Sequence, residues 1–157
     1  MGHDIKKLRP DKNSRYKQGY FDVSNSVKYK GKDDNDKTVI YRSSLELKFC
    51  QLCETSPKII MWASETLPIT YELDGKTHTY WPDFLFETVH GTKFLIEVKP
   101  SCQVKTPNRY ASMYDKLTFR KNMAKWNAAQ QWVSQTNRAL GSEIWRFKII
   151  TERFFNI

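Results

Sequence analysis

Two charged residues interrupt an apolar run, Phe94-Leu95-Ile96-Glu97-Val98-Lys99. Read as a strand, the run alternates, so Glu97 and Lys99 share one face while Phe94, Ile96 and Val98 take the other. Their Cα atoms then lie roughly 6.6 Å apart at ordinary strand rise. A buried strand avoids charge unless a partner compensates it. Upstream, Asp83 sits in Trp81-Pro82-Asp83-Phe84, with thirteen residues between it and Glu97. Two carboxylates and a lysine of this kind suit a Mg²⁺ site: the ion prefers hard oxygen ligands and keeps several waters. Asp83 and Glu97 would hold it beside a phosphate oxygen. Lys99 would lower the pKa of a nearby water or stabilise charge developing on phosphate. Mn²⁺ is expected to substitute. Glu46, from a helix, would bind a second metal or orient a water.

Glu97, Lys99 and Glu46 also have plainer explanations. Glu-x-Lys on a strand is often a surface ion pair. Glu46 stands three residues after Ser43, which fits a capping box and accounts for it in full. A carboxylate folded back on its own helix start would be withdrawn from a metal, so the two roles compete.

The elements that must position these residues follow from periodicity. A capped helix is expected over 43–54, with Leu45, Phe49 and Leu52 as its apolar stripe, and Ser56-Pro57 stops it. Strands are expected over 68–73 and 77–86, joined by the hairpin turn Asp74-Gly75, and a third over 92–98. Residues 101–108 read as a loop. A long helix is expected over 109–136, broken near Thr118, and a final strand lies within 143–155. The order helix-strand-strand-strand-helix-strand gives a mixed α/β (α+β) domain over 41–157, a sheet covered by helices. Residues 1–40 read as a basic N-terminal arm or extension.

At this point the chain resembles the PD-(D/E)XK nuclease superfamily, with its restriction-endonuclease-like core. Pro82-Asp83 and Glu97-Val98-Lys99 match the motif, and the helix carrying Glu46 precedes them as in that fold. Tyr41 to Phe49, Trp62-Ala63-Ser64-Glu65, Tyr80 to Phe84, Leu95 to Pro100 and Lys125-Trp126-Asn127-Ala128-Ala129 narrow the likeness. They are similar to the head completion nucleases of T-even-like tailed phages, and TnsA-type transposon endonucleases share the general plan. The resemblance implies a metal-dependent endonuclease cutting double-stranded DNA. It also implies action after packaging, in the host cytoplasm during virion assembly and in association with the virion. Portal, head or neck proteins are the implied partners, and superfamily members often dimerise. The implied catalytic set is Glu46, Asp83, Glu97 and Lys99. Asp83, Glu97 and Glu46 would be metal ligands, with the Val98 carbonyl as an additional one. Two rivals are a structural head or neck protein on the same fold and a transposase-like end-cleaving subunit.

Charge placement agrees with such a substrate. The 157 residues carry a net +9. Residues 1–40 hold ten basic and six acidic side chains, residues 41–99 six and eight, and residues 100–157 ten and three. Basic flanks thus enclose an acidic middle, which a protein that merely coats nucleic acid does not need. Lys116, Arg120, Lys121 and Lys125 fall on the long helix, and Lys121 and Lys125 share a face at spacing four. They and Arg42 are the candidate phosphate contacts. The arm residues Lys6, Lys7, Arg9, Lys12, Arg15 and Lys17 suit either DNA or a protein partner.

Other classes are disfavoured. No stretch approaches the roughly 20 apolar residues of a membrane span. Three cysteines cannot complete a disulfide framework, which points to a reducing compartment. Cys50-Gln51-Leu52-Cys53 lies inside the first helix without a second pair, so packing thiols are expected rather than zinc. The three histidines have no matching nucleophile spacing. Glycoside hydrolysis by a carboxylate pair fits poorly with the lysine and the basic flanks.

Overall fold

The computed structural model describes residues 18–155. Its centre is a four-stranded sheet in the order β3 (Ile59–Ser64), β6 (Phe84–Thr88), β7 (Lys93–Val98), β8 (Trp145–Ile150). β3, β6 and β7 run antiparallel, and β7 pairs parallel with β8. A parallel pair needs a crossover, and the 28-residue helix α2 (Met113–Leu140) supplies it. Helix α1 (Ser44–Thr55) and the antiparallel pair β1 (Gly19–Asp22) and β2 (Thr38–Tyr41) pack on one face of the sheet. Helix α2 and the hairpin β4 (Ile69–Leu73)/β5 (Lys76–Tyr80) pack on the other. A short helix α3 (Glu152–Phe155) follows β8. The result is the mixed α/β arrangement expected.

Alternation along β7 explains the two layers. Ile96 and Val98 join a core with Phe49, Cys50, Cys53, Trp62 and Phe84. Leu95 is fully buried on the other side with Tyr71, Tyr80, Trp126, Ala129 and Val133. Helix α1 begins as its sequence demands: the Ser43 hydroxyl accepts the Glu46 N–H, and Leu45, Phe49 and Leu52 face the core. The Phe49 and Phe84 rings stand 4.8 Å apart. Trp62 is sealed inside, its indole N–H donating to Glu54 at 2.7 Å. Cys50 and Cys53 are buried packing residues, and burial pushes the Cys50 thiol up to about 12.

Several boundaries differ from expectation. The strand expected over 77–86 is two strands. β5 ends at Tyr80 in the side hairpin, and β6 starts at Phe84 in the central sheet. Pro82 has no N–H to give a ladder, and the chain changes sheets there. The hairpin turn itself is as read, with Asp74 at φ 53° and Gly75 at φ 73°. β3 was not expected. Its core and exposed positions do not alternate cleanly, because a bulge lies between Ile59 and Met61. Helix α2 runs unbroken through Thr118 and ends at Gly141, whose φ of 69° makes a left-handed cap. The last strand stops at Ile150. The stretch read as an arm contributes β1 and β2, with Val23 and Val39 in the core. Its basic residues Lys6 to Lys17 lie outside the described residues. Among the described residues no helix is long and apolar enough to cross a membrane.

Candidate active site

The change of sheet at Trp81-Pro82-Asp83 places Asp83 one residue outside β6. Phe84 pairs with Ile96, so Asp83 comes level with Glu97 at the end of β7. Directly opposed residues of such a pair have Cβ atoms about 4.5–5.5 Å apart. Asp83 is fixed from two sides: its Oδ2 accepts the Val98 N–H at 2.8 Å, and its carbonyl accepts the Glu65 N–H at 3.1 Å. The parallel ladder continues one step past β7, where the Lys99 N–H donates to the Ile150 carbonyl at 3.0 Å. That bond holds the backbone from which the Lys99 side chain returns. Its ammonium stands 3.5 Å from Glu97 Oε1.

Glu97 is 5% exposed. Its other oxygen, Oε2, accepts the hydroxyl of Tyr80 at 2.5 Å. Tyr80 ends β5 and is itself 4% exposed. The phenol ring also lies under Lys125, whose ammonium is 5.6 Å from the ring centroid. Glu46 enters from the first turn of α1. Its Oε2 accepts the N–H of Arg42, the residue before the Ser43 cap, at 2.6 Å, instead of the Ser43 N–H of a capping box. Its charge adds to the raised pKa of Asp83.

Electrostatics bind these groups into one site. Burial raises the Asp83 carboxyl well above its ordinary value, and the charges of Glu97 and Glu46 push it further. The Val98 N–H and Lys99 oppose that shift. Glu97 is raised by burial, against the pull of Tyr80, Lys99 and Lys125. Glu46 is raised by burial, with Glu65 and Glu97 adding to the shift and Arg42 opposing it. Lys125 is lowered by burial and by Lys121, while Glu97 draws it back. Burial raises the Tyr80 phenol, and Glu97 and Asp83 raise it further, so it stays a donor. Carboxylates that raise one another's pKa in partly buried surroundings favour a compensating positive charge. Two hard carboxylates at the shared end of β6 and β7 suit an ion such as Mg²⁺, which takes few protein ligands and completes its shell with water. Among the described residues no three acidic, histidine or cysteine side chains come together as a metal-holding group, so the expected ligand set of Asp83, Glu97 and Glu46 is not assembled as a trio.

The candidate phosphate contacts are dispersed. Lys125 faces the acid centre, and Lys121 lies one turn before it on the same face. Arg120 is paired with Asp74 at the tip of the β4–β5 hairpin, 2.5 Å away. Lys116 donates to the carbonyl of Arg109 at 2.9 Å. Arg42 is paired with Glu65 at 2.9 Å. Sequence reasoning gave no role to Tyr80 or Glu65. An aromatic residue shortly before the aspartate was the one signal for Tyr80. Glu65 carries a left-handed φ of 50°, which no sequence pattern announces.

Comparison with known proteins gives the same direction. The family model of the TnsA-like endonuclease N-terminal domain matches residues 56–152. The head completion nuclease of Enterobacteria phage T4 is 32% identical over 139 residues, covering 82% of this chain and 86% of that protein.

Proposed function

The chain belongs to the TnsA-like endonuclease family, and on that premise we propose that it is a divalent-metal-dependent DNA endonuclease that acts in finishing phage heads. The observation that carries the reading is the convergence of Asp83, Glu97 and Lys99 at the shared end of β6 and β7. The phage role rests on the relative that aligns with most of the chain, a head completion nuclease.

In this reading Asp83 and Glu97 hold the cation, with the Val98 carbonyl as a further oxygen and Glu46 at the rim. Mg²⁺, when bound there, would polarise the scissile phosphate and lower the pKa of a neighbouring water. Lys99 sets its ammonium against the charge that develops on the phosphate oxygens. Glu46 orients water for in-line attack on phosphorus. Lys125 and Lys121 hold the strand's phosphates next to the centre, and Arg42 and Arg120 reach the DNA only by leaving Glu65 and Asp74. Double-stranded DNA is the substrate, neck or portal proteins are the assembly partners, and the work takes place in the host cell. A homodimer would allow both strands to be cut.

Nicking of supercoiled plasmid with Mg²⁺ or Mn²⁺ tests the site. Glu97→Ala should abolish cutting, and Lys99→Ala should lower kcat about 10²–10³-fold, the range for losing one transition-state donor. Wild-type cutting by either folded variant would remove the assignment. Complementation of a phage defective in head completion separates the enzyme from a structural protein on the same fold: full rescue by Glu97→Ala would favour the latter.

A further inference from the structure

We propose that Tyr80 is a positioning residue of the acid centre, its hydroxyl fixing one oxygen of Glu97 so that the other is presented beside Lys99 where the cation would bind; the inference rests on the nuclease reading above. The two oxygens of Glu97 have separate partners. Oε2 takes the Tyr80 hydroxyl at 2.5 Å, and Oε1 faces the Lys99 ammonium at 3.5 Å. A carboxylate on a strand can rotate about its side-chain bonds, and one fixed oxygen removes that freedom. A phenol suits the task better than a second lysine. It donates a hydrogen bond without adding a positive charge, so the centre keeps its attraction for a cation.

The donor is itself held firmly. Tyr80 is 4% exposed, packed with Ile69, Tyr71 and Trp126. It lies in the side hairpin rather than in the sheet that carries Glu97. The hairpin is tied to α2 at both ends. Arg120 bonds Asp74 at the turn, and the Lys125 ammonium lies over the Tyr80 ring at the base. One phenol therefore touches the Glu97 carboxylate with its hydroxyl and seats Lys125 on its ring. No other hydroxyl, amide or backbone N–H among the described residues is bonded to the Glu97 carboxylate.

The full-length Tyr80→Phe protein tests this, because it keeps the ring, the packing and the Lys125 contact and removes the hydroxyl alone. Mn²⁺ affinity is read by titration calorimetry, kcat and DNA KM by plasmid nicking at saturating Mn²⁺, and the fold by circular dichroism and Tm. The expected result is about a 10–100-fold loss in Mn²⁺ affinity or kcat, with DNA KM unchanged and the fold kept. Wild-type Mn²⁺ affinity and kcat, with at most a lowered Tm, would reduce Tyr80 to a core residue and overturn the inference. Tyr80→Leu is measured beside it. If only that variant loses metal affinity, the ring and not the hydroxyl does the positioning, and the inference fails. Glu97→Ala distinguishes the two levels of failure. An inactive Glu97→Ala with a normal Tyr80→Phe overturns the Tyr80 role alone, and a folded, fully active Glu97→Ala overturns the site itself.

Discussion

The acid centre and the exposed face of α2 are built on opposite terms. At the centre, the two carboxylates take bonds from other elements: Asp83 from Val98 of β7 and from Glu65 just after β3, and Glu97 from Tyr80 of β5, with Lys99 added from two residues on, just past its own strand. Along the start of α2 the charged groups stand in solvent and hold only local or surface partners. Lys116 bonds the loop just before its own helix, and Arg120 bonds the hairpin tip with both side chains more than half exposed. Large apolar residues there are also in water, Tyr110 80% and Tyr114 77% exposed. The difference is one of precision. In the proposed function a reacting phosphate would be held to within a fraction of an ångström, which calls for preorganised ligands. Phosphates away from the reaction need only attraction, which flexible surface lysines supply.

The largest consequence of this contrast concerns stability. Asp83 and Glu97 have raised pKa values in the folded chain, caused first by burial and, at Asp83, next by the other carboxylates. The sign follows from linkage. A carboxyl raised on folding stabilises the fold fully below its unfolded pKa, near the ordinary 3.8–4.5, and that stability is lost as pH rises through the elevated value. The metal-free protein should therefore lose stability from about pH 4 upward at this site, and Asp83→Asn should flatten the loss. A divalent cation should reverse it. At 100 times its Kd the ion adds about 2.7 kcal/mol, or roughly 5–10 °C in Tm for a chain of this size. The gain should be largest near pH 8 and shrink toward pH 4–5, where protons compete for the same oxygens. A Tm indifferent to Mg²⁺ and Mn²⁺ at pH 8 would contradict a preorganised cation site. No such response is expected from the α2 face.

The same contrast explains what could be read before the fold was known. Glu97, Lys99 and the apolar residues Phe94, Ile96 and Val98 that alternate with them were legible because a strand's period of two leaves no freedom about faces. Leu45, Phe49 and Leu52 were legible for the matching reason on a helix. The passage through Trp81-Pro82-Asp83 was not. Its residues favour extended structure on both sides, and only tertiary packing decides that the chain leaves one sheet and joins another. β3 was hidden by its bulge, and β1 and β2 by the polar loop between them. The contact of Tyr80 with Glu97 joins residues of two different sheets, which no local pattern encodes. The Ser43 cap was read correctly from spacing, whereas the Glu46 carboxylate accepts the N–H of Arg42, one residue before the cap, instead of the Ser43 N–H that a capping box would use.

A smaller effect belongs to the basic face. Lys121 should contribute phosphate attraction without touching the chemistry. Lys121→Ala should raise DNA KM a few-fold, reduce the salt slope of binding by about 1, and leave kcat unchanged. Binding titrations between 50 and 200 mM salt, beside single-turnover cutting, measure both. A fall in kcat with unchanged KM would instead place Lys121 with the preorganised centre.

The smallest effect tests whether the surface ion pair at the hairpin tip restrains the face. Arg120 and Asp74 are 59% and 62% exposed, so their attraction is screened by water and salt. Asp74→Ala should lower Tm by a few degrees at most, chiefly from alanine at a left-handed φ and hardly from the lost ion pair. It should still release the Arg120 guanidinium toward any phosphate that reaches α2. DNA should then bind slightly more tightly, because an acidic neighbour is gone and an arginine no longer has to exchange partners. Asp74→Asn controls for the turn, since asparagine tolerates the left-handed φ of 53° at that position. Equal tightening in both variants assigns the effect to charge. Tightening in Asp74→Ala alone assigns it to the hairpin's shape, and the hairpin would then join the rigid half of the molecule.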